Sequence, residues 1–321
     1  MMYNFKELLG EEAEIVLHIL KQAVELGRQE TPRGHVATYI PELGKADGSQ
    51  LGVSVFSITG ERMSVGDTKV RFSIQSISKI FSLAIALDLC GEETVFRNVG
   101  MEPSGDPFNS LIKLENTDSS PYNPMINAGA MVVVSYLVPK LTFEETLEKV
   151  RKLCMDPEIR MDEKVYNSEM SNISRNRAIA YLLESKGYIG KDVEKCLDFY
   201  VRMCSLSVTA ESLAGMGLIL ANDGIDPRTG ERLLTSHTVK LVKTIMLTCG
   251  MYDGSGEFAV RVGIPSKSGV GGGLLSVVDR EMGIGIYGPA LDGKGNSVGG
   301  ERILEYLSQQ LQLHMFDKRR R

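Results

Sequence analysis

The chain has 321 residues, of which 43% are hydrophobic and 24% are charged, a balance typical of a folded protein and unlike that of a disordered one. Its net charge of -5 gives no support to a nucleic-acid partner, which would favour a basic face. No stretch approaches the roughly 18 apolar residues that a membrane span needs, and the N-terminus has no apolar signal region. These properties predict a cytoplasmic protein without a nucleic-acid or membrane partner.

Metal and nucleotide cofactors are not expected. The five cysteines are an odd number without a C-x-x-C pair, which argues against both a disulfide framework and a zinc site. The four histidines are scattered, and none has a carboxylate at ligand spacing. No Walker or Rossmann glycine pattern follows a strand. The one basic cluster, residues 318–321, is typical of a solvated chain end.

The first elements are a helix and two strands. Apolar residues at helical spacing predict a helix over residues 5–26, ended by Gly27. β-Branched and aromatic residues predict a strand over 53–58. After a hairpin turn at Thr59-Gly60, alternation at 63–65 predicts a return strand.

Helical periodicity dominates from residue 76 to about residue 250. Helices are predicted at 76–90, 127–139, 142–154, 175–186, 191–204, 209–222 and 236–249. Three short runs bounded by turn residues then predict strands, and a helix closes the chain. The strands are predicted at 258–262, 273–278 and 282–287, and the helix at 297–313.

The order of the elements predicts an α+β protein. Two N-terminal strands are too few for a stable sheet, so they are expected to pair with the three C-terminal strands. The result would be an antiparallel sheet of about five strands flanked by helices. Residues 1–75 and 256–321 would form the sheet domain, and residues 76–255 an inserted all-helical domain. The cleft between the two is a natural ligand site.

The most informative local motif is the S-x-x-K sequence from Ser76 to Lys79, which follows a strand-like run and opens an apolar helix. Residues three apart share a helix face, so the Ser76 hydroxyl and the Lys79 amine could meet. Serine needs such a base to become a nucleophile, and the lysine needs a lowered pKa to act as one. The backbone N–H of Ser76 could also hold an oxyanion. The alternative is that Ser76 or Ser78 only caps the helix.

A second motif, Lys267-Ser268-Gly269, is a variant of the K-T-G sequence that accompanies S-x-x-K in serine β-lactamases and penicillin-binding proteins. The glycine-rich segment 269–273 would let a substrate approach an edge strand closely. A merely flexible turn is the alternative interpretation.

Further polar residues occur in apolar surroundings, each with a structural alternative. Asn127 lies at a helix start and could be a cap. Glu169 and Asn176 are seven residues apart, so they could face one pocket on a continuous helix or lie on a solvated face. Tyr200 is expected in the core. Tyr252 enters a glycine-rich loop after a helix and is expected to be exposed to a cleft.

Taken together, these segments resemble the serine-dependent glutaminases, a branch of the β-lactamase-like superfamily. The matching segments follow the family order from about residue 30 to residue 300. They are 36–43, 66–70, 75–79 (QSISK), 102–105, 123–130 (NPMINAGA), 204–209, 249–253 and 267–270 (KSGV). The S-D-N element of β-lactamases is not evident, so their proton route does not transfer to this chain.

The resemblance implies roles for individual residues. Ser76 would attack the side-chain amide carbon of glutamine, and Lys79 would accept its proton. Backbone N–H groups of Ser76 and Val270 would bind the oxyanion, Tyr252 would relay a proton to the departing ammonia, and water would release glutamate. The residues implied to hold the α-amino and α-carboxylate groups are Asn127, Glu169, Asn176 and Tyr200, with Tyr39 and Gln75 at the rim.

The resemblance also implies a homodimer or homotetramer whose small-molecule partners are L-glutamine and water. Two other functions fit the same scaffold: a β-lactamase or peptidase-like serine hydrolase, and a non-catalytic sensor that binds an amino acid. A third alternative is an unrelated helical protein in which both motifs are structural. The longer animal members of the family carry appended repeats or a transit peptide, which this chain is expected to lack.

Overall fold

The computed structural model describes residues 11–105, 110, 115 and 120–317. A five-stranded antiparallel sheet forms the centre of the fold. From one edge to the other its strands are β2 (Arg62–Gly66), β1 (Gly52–Ser57), β8 (Met282–Tyr287), β7 (Gly273–Val278) and β6 (Ser266–Gly269). The pairing of β1 with β8 confirms that two N-terminal and three C-terminal strands share one sheet.

One of the predicted C-terminal strands is wrong. Residues 258–262 lie mostly in the helix Ser255–Arg261, and the third strand is β6 instead. The run reads as apolar at alternate positions, which fits a strand, but Phe258 and Val262 are also four residues apart. Both are buried, whereas Val260 between them is 79% exposed, as the helical period requires.

The helices agree with the remaining predictions. The ends of the predicted helices between residues 76 and 249 lie within two residues of the observed ends. The helices among the described residues are α1 (Glu11–Glu30), α2 (Ser78–Cys90), α3 (Glu92–Val95), α4 (Asn127–Leu137), α5 (Phe143–Cys154), α6 (Glu163–Met170), α7 (Ser174–Ser185), α8 (Val193–Cys204), α9 (Ala210–Ala221), α10 (Ser236–Cys249), α11 (Ser255–Arg261) and α12 (Val298–Leu311).

Gly27 does not end the first helix, which continues to Glu30. A Cβ atom at Gly27 would lie 2.8 Å from the backbone oxygen of Gly299 and 2.7 Å from the Leu51 side chain. The glycine therefore allows α1 to pack closely against α12 rather than acting as a stop signal. The predicted start of this helix falls outside the described residues.

The sheet separates two apolar clusters. Leu20 of α1 and Ile303 of α12 are fully buried on one face, together with Leu274 of β7. The next residue of that strand, Leu275, faces a second, larger cluster formed mainly by the helices between residues 78 and 249. The sheet is therefore covered by helices on both faces.

Helix α9 lies directly on the second face of the sheet. A Cβ atom at Gly217 would lie 2.7 Å from the Cα atom of Gly283, and one at Gly285 would lie 1.9 Å from the backbone oxygen of Ala210. Only glycine allows the helix and sheet backbones to approach this closely.

A second, three-stranded antiparallel sheet links the two parts of the chain. Its strands, in order across the sheet, are β3 (Phe72–Ser73), β5 (Leu206–Val208) and β4 (Arg160–Met161). Because β3 directly precedes the S-x-x-K motif, this sheet fixes where the motif begins. The division into domains 1–75 with 256–321 and 76–255 stays a prediction.

Among the described residues, no helix is both long and apolar enough to span a membrane. All five cysteines lie in the described part of the chain and are free. The basic chain end at residues 318–321 lies outside the described residues.

Candidate active site

Ser76 lies in a single 3₁₀ turn, Gln75–Ile77, between β3 and α2. It is buried, with 8% of its surface exposed. The preceding residue, Gln75, has a φ of 48°, a left-handed conformation that costs about 1–3 kcal/mol for a residue other than glycine. The N-cap position of α2 is Ile77, and no side chain caps the helix, so the capping interpretation of Ser76 and Ser78 is wrong.

Lys79 lies three residues after Ser76 and is almost fully buried, with 2% exposed. Its Nζ donates hydrogen bonds to Asn127 Oδ1 at 2.7 Å and to the backbone oxygen of Met125 at 3.1 Å. Burial lowers the pKa of the Lys79 amine to about 8, and the nearby Cys204 and Glu169 oppose that shift. With this pKa about a tenth of the amine is unprotonated at pH 7, far more than the ordinary lysine pKa of about 10.4 allows.

Asn127 is the first residue of α4, and its side chain does not cap the helix. Its Oδ1 accepts from Lys79, and its Nδ2 donates to Asn176 Oδ1 at 2.9 Å. Asn176 lies in the first turn of α7, whereas Glu169 lies near the end of α6. The two residues therefore do not lie on one continuous helix, which was the condition for their facing one pocket from a single helix.

Glu169 is a buried carboxylate, with 7% exposed. Burial raises its pKa to about 7, and a hydrogen bond from the Gln75 side chain and the charge of Lys79 act in the opposite direction. Its Oε2 is buried without a hydrogen-bond partner among the described residues. A buried acceptor without a donor is costly, so this oxygen is suited to receive a donor from a ligand.

Tyr252 lies in a 3₁₀ turn after α10 and has a φ of 53°. It was expected to be exposed to a cleft, but only 9% of its surface is exposed. Burial raises the pKa of the hydroxyl, and the neighbouring Ser76 side chain and Val270 backbone partly offset this shift. The hydroxyl therefore lies beside Ser76 and the end of β6.

Two more tyrosines face the same group of residues. Tyr200 on α8 is buried as expected. Burial raises the pKa of its hydroxyl well above 10, and the nearby Cys204 and Glu169 raise it further. Tyr39 is 56% exposed as a whole residue. Burial of its hydroxyl end nevertheless raises its pKa, and the nearby Tyr252 and Glu169 raise it further. Its ring thus lies at the rim while its hydroxyl points toward the buried groups.

Val270, which follows β6 directly, is buried with 6% exposed. Strand β6 packs against the turn Gln75–Ile77, so the strand and the turn form adjoining walls. The structure thus brings the predicted residues together in one cluster where the helices meet the sheet. They are Tyr39, Gln75, Ser76, Lys79, Asn127, Glu169, Asn176, Tyr200, Tyr252 and Val270.

Comparison with known proteins identifies the family. The model of the Glutaminase family matches residues 34–316. The chain belongs to the glutaminase family. A glutaminase of Clostridium botulinum is 49% identical over 302 residues, which cover 93% of this chain and 99% of the relative. A glutaminase of Fusobacterium nucleatum subsp. nucleatum is 50% identical over 302 residues, with the same shares covered.

Solved structures of the family have the same fold. A probable glutaminase from Bacillus subtilis complexed with 6-diazo-5-oxo-L-norleucine is 38% identical, with a TM-score of 0.85. The match covers 97% of this chain and 99% of that structure. The predicted α+β fold of the β-lactamase-like type and the predicted class, a glutaminase of the amide hydrolases, are confirmed.

The sequence analysis missed one member of the cluster, Cys204, because it considered the cysteines only for a disulfide framework or a zinc site. Its Sγ lies 3.6 Å from Ser78 Oγ, and its effects on the pKa values of Lys79 and Tyr200 place it beside them. Burial raises the pKa of the thiol to about 12, so it stays protonated. The one available signal was its position four residues after Tyr200, on the same face of α8.

A cavity of about 560 Å³ lies outside the cluster of predicted site residues. It is lined by residues of α11, α12 and the loop before α12, and none of the predicted site residues lines it. Among the described residues, no group of three or more His, Cys, Asp or Glu side chains is arranged to hold a metal ion.

Proposed function

We propose that this protein hydrolyses L-glutamine to L-glutamate and ammonia through an acyl-enzyme formed on Ser76. The observation that carries the proposal is the buried Lys79 amine, whose pKa is lowered to about 8 and which lies one helical turn from the Ser76 nucleophile. A serine hydroxyl with an adjacent unprotonated amine has the base that it needs for attack on an amide.

In the first half-reaction, Ser76 Oγ forms a bond to the amide carbon while its proton passes to Lys79 Nζ. The carbonyl oxygen becomes an oxyanion that receives hydrogen bonds from the backbone N–H groups of Ser76 and Val270. Collapse of this intermediate breaks the C–N bond, and the leaving nitrogen takes a proton relayed through Tyr252. This role of Tyr252 is supported by its contacts with Ser76 and Val270.

In the second half-reaction, water attacks the acyl carbon and gives its proton, through Tyr252, to Lys79. The ester bond to Ser76 breaks, the serine regains its proton, and glutamate leaves. No metal or cofactor takes part in this scheme, because the serine, the lysine and water supply every atom and proton.

The ends of the substrate are proposed to be held by the polar residues of the cluster. Glu169 would accept from the α-ammonium group, a role supported by its buried oxygen without a partner. The amides of Asn127 and Asn176 and the hydroxyl of Tyr200 would donate to the α-carboxylate. The remaining residues, Tyr39 and Gln75, would close the rim.

The proposal is tested by measuring ammonia and glutamate release from purified protein, with glutamine and asparagine in parallel. We expect release from glutamine, with asparagine a poorer substrate because its amide is one methylene closer to the anchored α-groups. Absence of release from either amide by the folded protein would favour the amino-acid sensor, which a glutamine-dependent rise in melting temperature would then reveal.

Changing Glu169 to glutamine is expected to raise KM for glutamine by about 10- to 100-fold, because a hydrogen bond to a charged group contributes about 1.5–3 kcal/mol. The value of kcat should change by less than about threefold, since the carboxylate is not proposed to touch the reacting amide. Steady-state kinetics separate the two effects.

The control for this substitution is Glu163→Gln, in the first turn of the same helix. It removes an exposed carboxylate at the start of the helix, and its kinetic constants should match those of the wild type. A Glu169→Gln variant that loses kcat at unchanged KM would contradict the assigned role.

A cytoplasmic location and assembly as a homodimer or homotetramer remain predictions from the sequence. The first is supported by five free cysteines, which are typical of a reducing compartment.

A further inference from the structure

We propose that Lys267 is a positioning residue that holds the Tyr252 turn and ring in place for the reaction. The inference rests on the role proposed above for Tyr252. It assigns a function to the lysine of the K-S-G motif that is separate from substrate binding.

Lys267 lies on the edge strand β6 and is completely buried, with 0% exposed. Its Nζ donates hydrogen bonds to the backbone oxygens of Gly250, at 3.1 Å, and Ser268, at 2.6 Å. The same Nζ lies 4.5 Å from the centroid of the Tyr252 ring, within the range of an amine–aromatic contact. One side chain therefore contacts both the start of the turn and the ring that the turn carries.

The turn itself is held by its backbone oxygens. The Gly250 oxygen accepts from Lys267 and also from the N–H of Ser268, at 3.1 Å. The Met251 oxygen accepts from the N–H of Gly254, at 3.0 Å, and the Tyr252 oxygen accepts from Ser255 Oγ, at 2.7 Å.

Such a framework matters because Tyr252 has a left-handed φ of 53°, a conformation that residues with a side chain adopt only when their surroundings impose it. Among these contacts of the turn, only Lys267 reaches both the backbone and the ring. Removing its amine would leave the Gly250 oxygen one donor short and the ring without its polar neighbour.

The chemistry of the amine fits this role better than ligand binding. Burial lowers the pKa of Lys267, and the positive charge of Lys79 lowers it further. The amine has at least two N–H donors in either protonation state, and these match the two backbone oxygens that it contacts. A lysine that binds a substrate carboxylate would need an open path to the cleft, whereas Lys267 is completely buried.

A double-mutant cycle tests the inference. Lys267→Met keeps the length and apolar stem of the side chain but removes its donors. With glutamine as substrate, we expect kcat to fall by about 30- to 100-fold and KM to stay within about threefold. In a Tyr252→Phe background, the same substitution should lower kcat by less than about threefold, because the hydroxyl that Lys267 positions is already absent.

Equal losses in both backgrounds would overturn the inference, because Lys267 would then act independently of Tyr252, and so would a change confined to KM. If Tyr252→Phe alone keeps wild-type kcat, the proposed role of Tyr252 fails, and the inference fails with it. Should Lys267→Met not fold, Lys267→Leu, a shorter apolar side chain that also lacks N–H donors, takes its place in the same cycle.

The control variant is Ser276→Ala on the neighbouring strand β7. It removes a buried hydrogen bond of 2.7 Å to Ser266 and contacts neither Tyr252 nor its turn. It should lower the melting temperature but leave kcat unchanged, which separates loss of a buried polar contact from loss of positioning.

Discussion

Replacing Ser76 with alanine is expected to lower kcat/KM for glutamine by about 10⁴-fold or more, because the acyl-enzyme cannot form without the hydroxyl. The fold should persist, since the change removes one oxygen from a turn whose backbone is fixed by its neighbours; the Ile74 N–H, for example, bonds to the Leu206 oxygen at 2.8 Å. Ammonia release and circular dichroism of the purified variant measure the two effects.

The matched control is Ser78→Ala, which changes the first residue of α2, two positions after Ser76. Ser78 contacts the Cys204 thiol and has no place in the proposed chemistry, so its variant should keep activity within a few-fold of the wild type. A diazo ketone analogue of glutamine adds a second measurement by intact mass: it should label the wild type and Ser78→Ala but leave Ser76→Ala unmodified. Wild-type turnover by Ser76→Ala would show that the mechanism is wrong.

Replacing Lys79 with methionine is expected to lower kcat/KM by about 10²- to 10⁴-fold, the usual contribution of a positioned general base. Methionine keeps a similar length but cannot accept the serine proton. The Lys152→Met variant serves as control, because that lysine is exposed on α5 and its substitution should leave kcat/KM unchanged. A Lys79→Met variant with more than a tenth of wild-type activity would exclude the lysine as the base.

The pH profile provides a second measurement on the same variant. The unprotonated amine is the active form, so wild-type kcat/KM should rise as pH increases through about 8. Glu169, with a pKa of about 7, must be ionised to bind the α-ammonium group and contributes a rise at lower pH. The residual activity of Lys79→Met should keep the lower rise and lose the upper one.

Much of the fold was predictable because most elements have a single periodicity and distinct ends. Residues 273–278 and 282–287 are short apolar runs between turns, and the structure confirms both as strands. The run at 258–262 fits both periods, so only its packing could decide between them. Helix α6 was missed because it has few apolar residues and starts from a cap at Asp162, whose Oδ1 accepts from the Lys164 and Val165 N–H groups.

The candidate site was predictable where the chemistry is local. Ser76 and Lys79 are three residues apart, so the motif alone places them on one helix face. The bond between Lys79 and Asn127 joins residues 48 positions apart and depends on the packing of α2 against α4. The position of Lys267 beneath the Tyr252 ring likewise depends on tertiary structure, because the sequence shows the motif but not what the side chain contacts.

The close approach of α9 to the sheet at Gly217 also limits how the protein can move. Because backbone atoms of the helix and the strands are this near to each other, sliding of the helix along the sheet would force backbone atoms of the two elements to overlap. A shear motion between the two layers is therefore blocked. We therefore expect substrate entry and product release to involve segments outside this helix–sheet contact, such as the loop that carries Tyr39, which is 56% exposed.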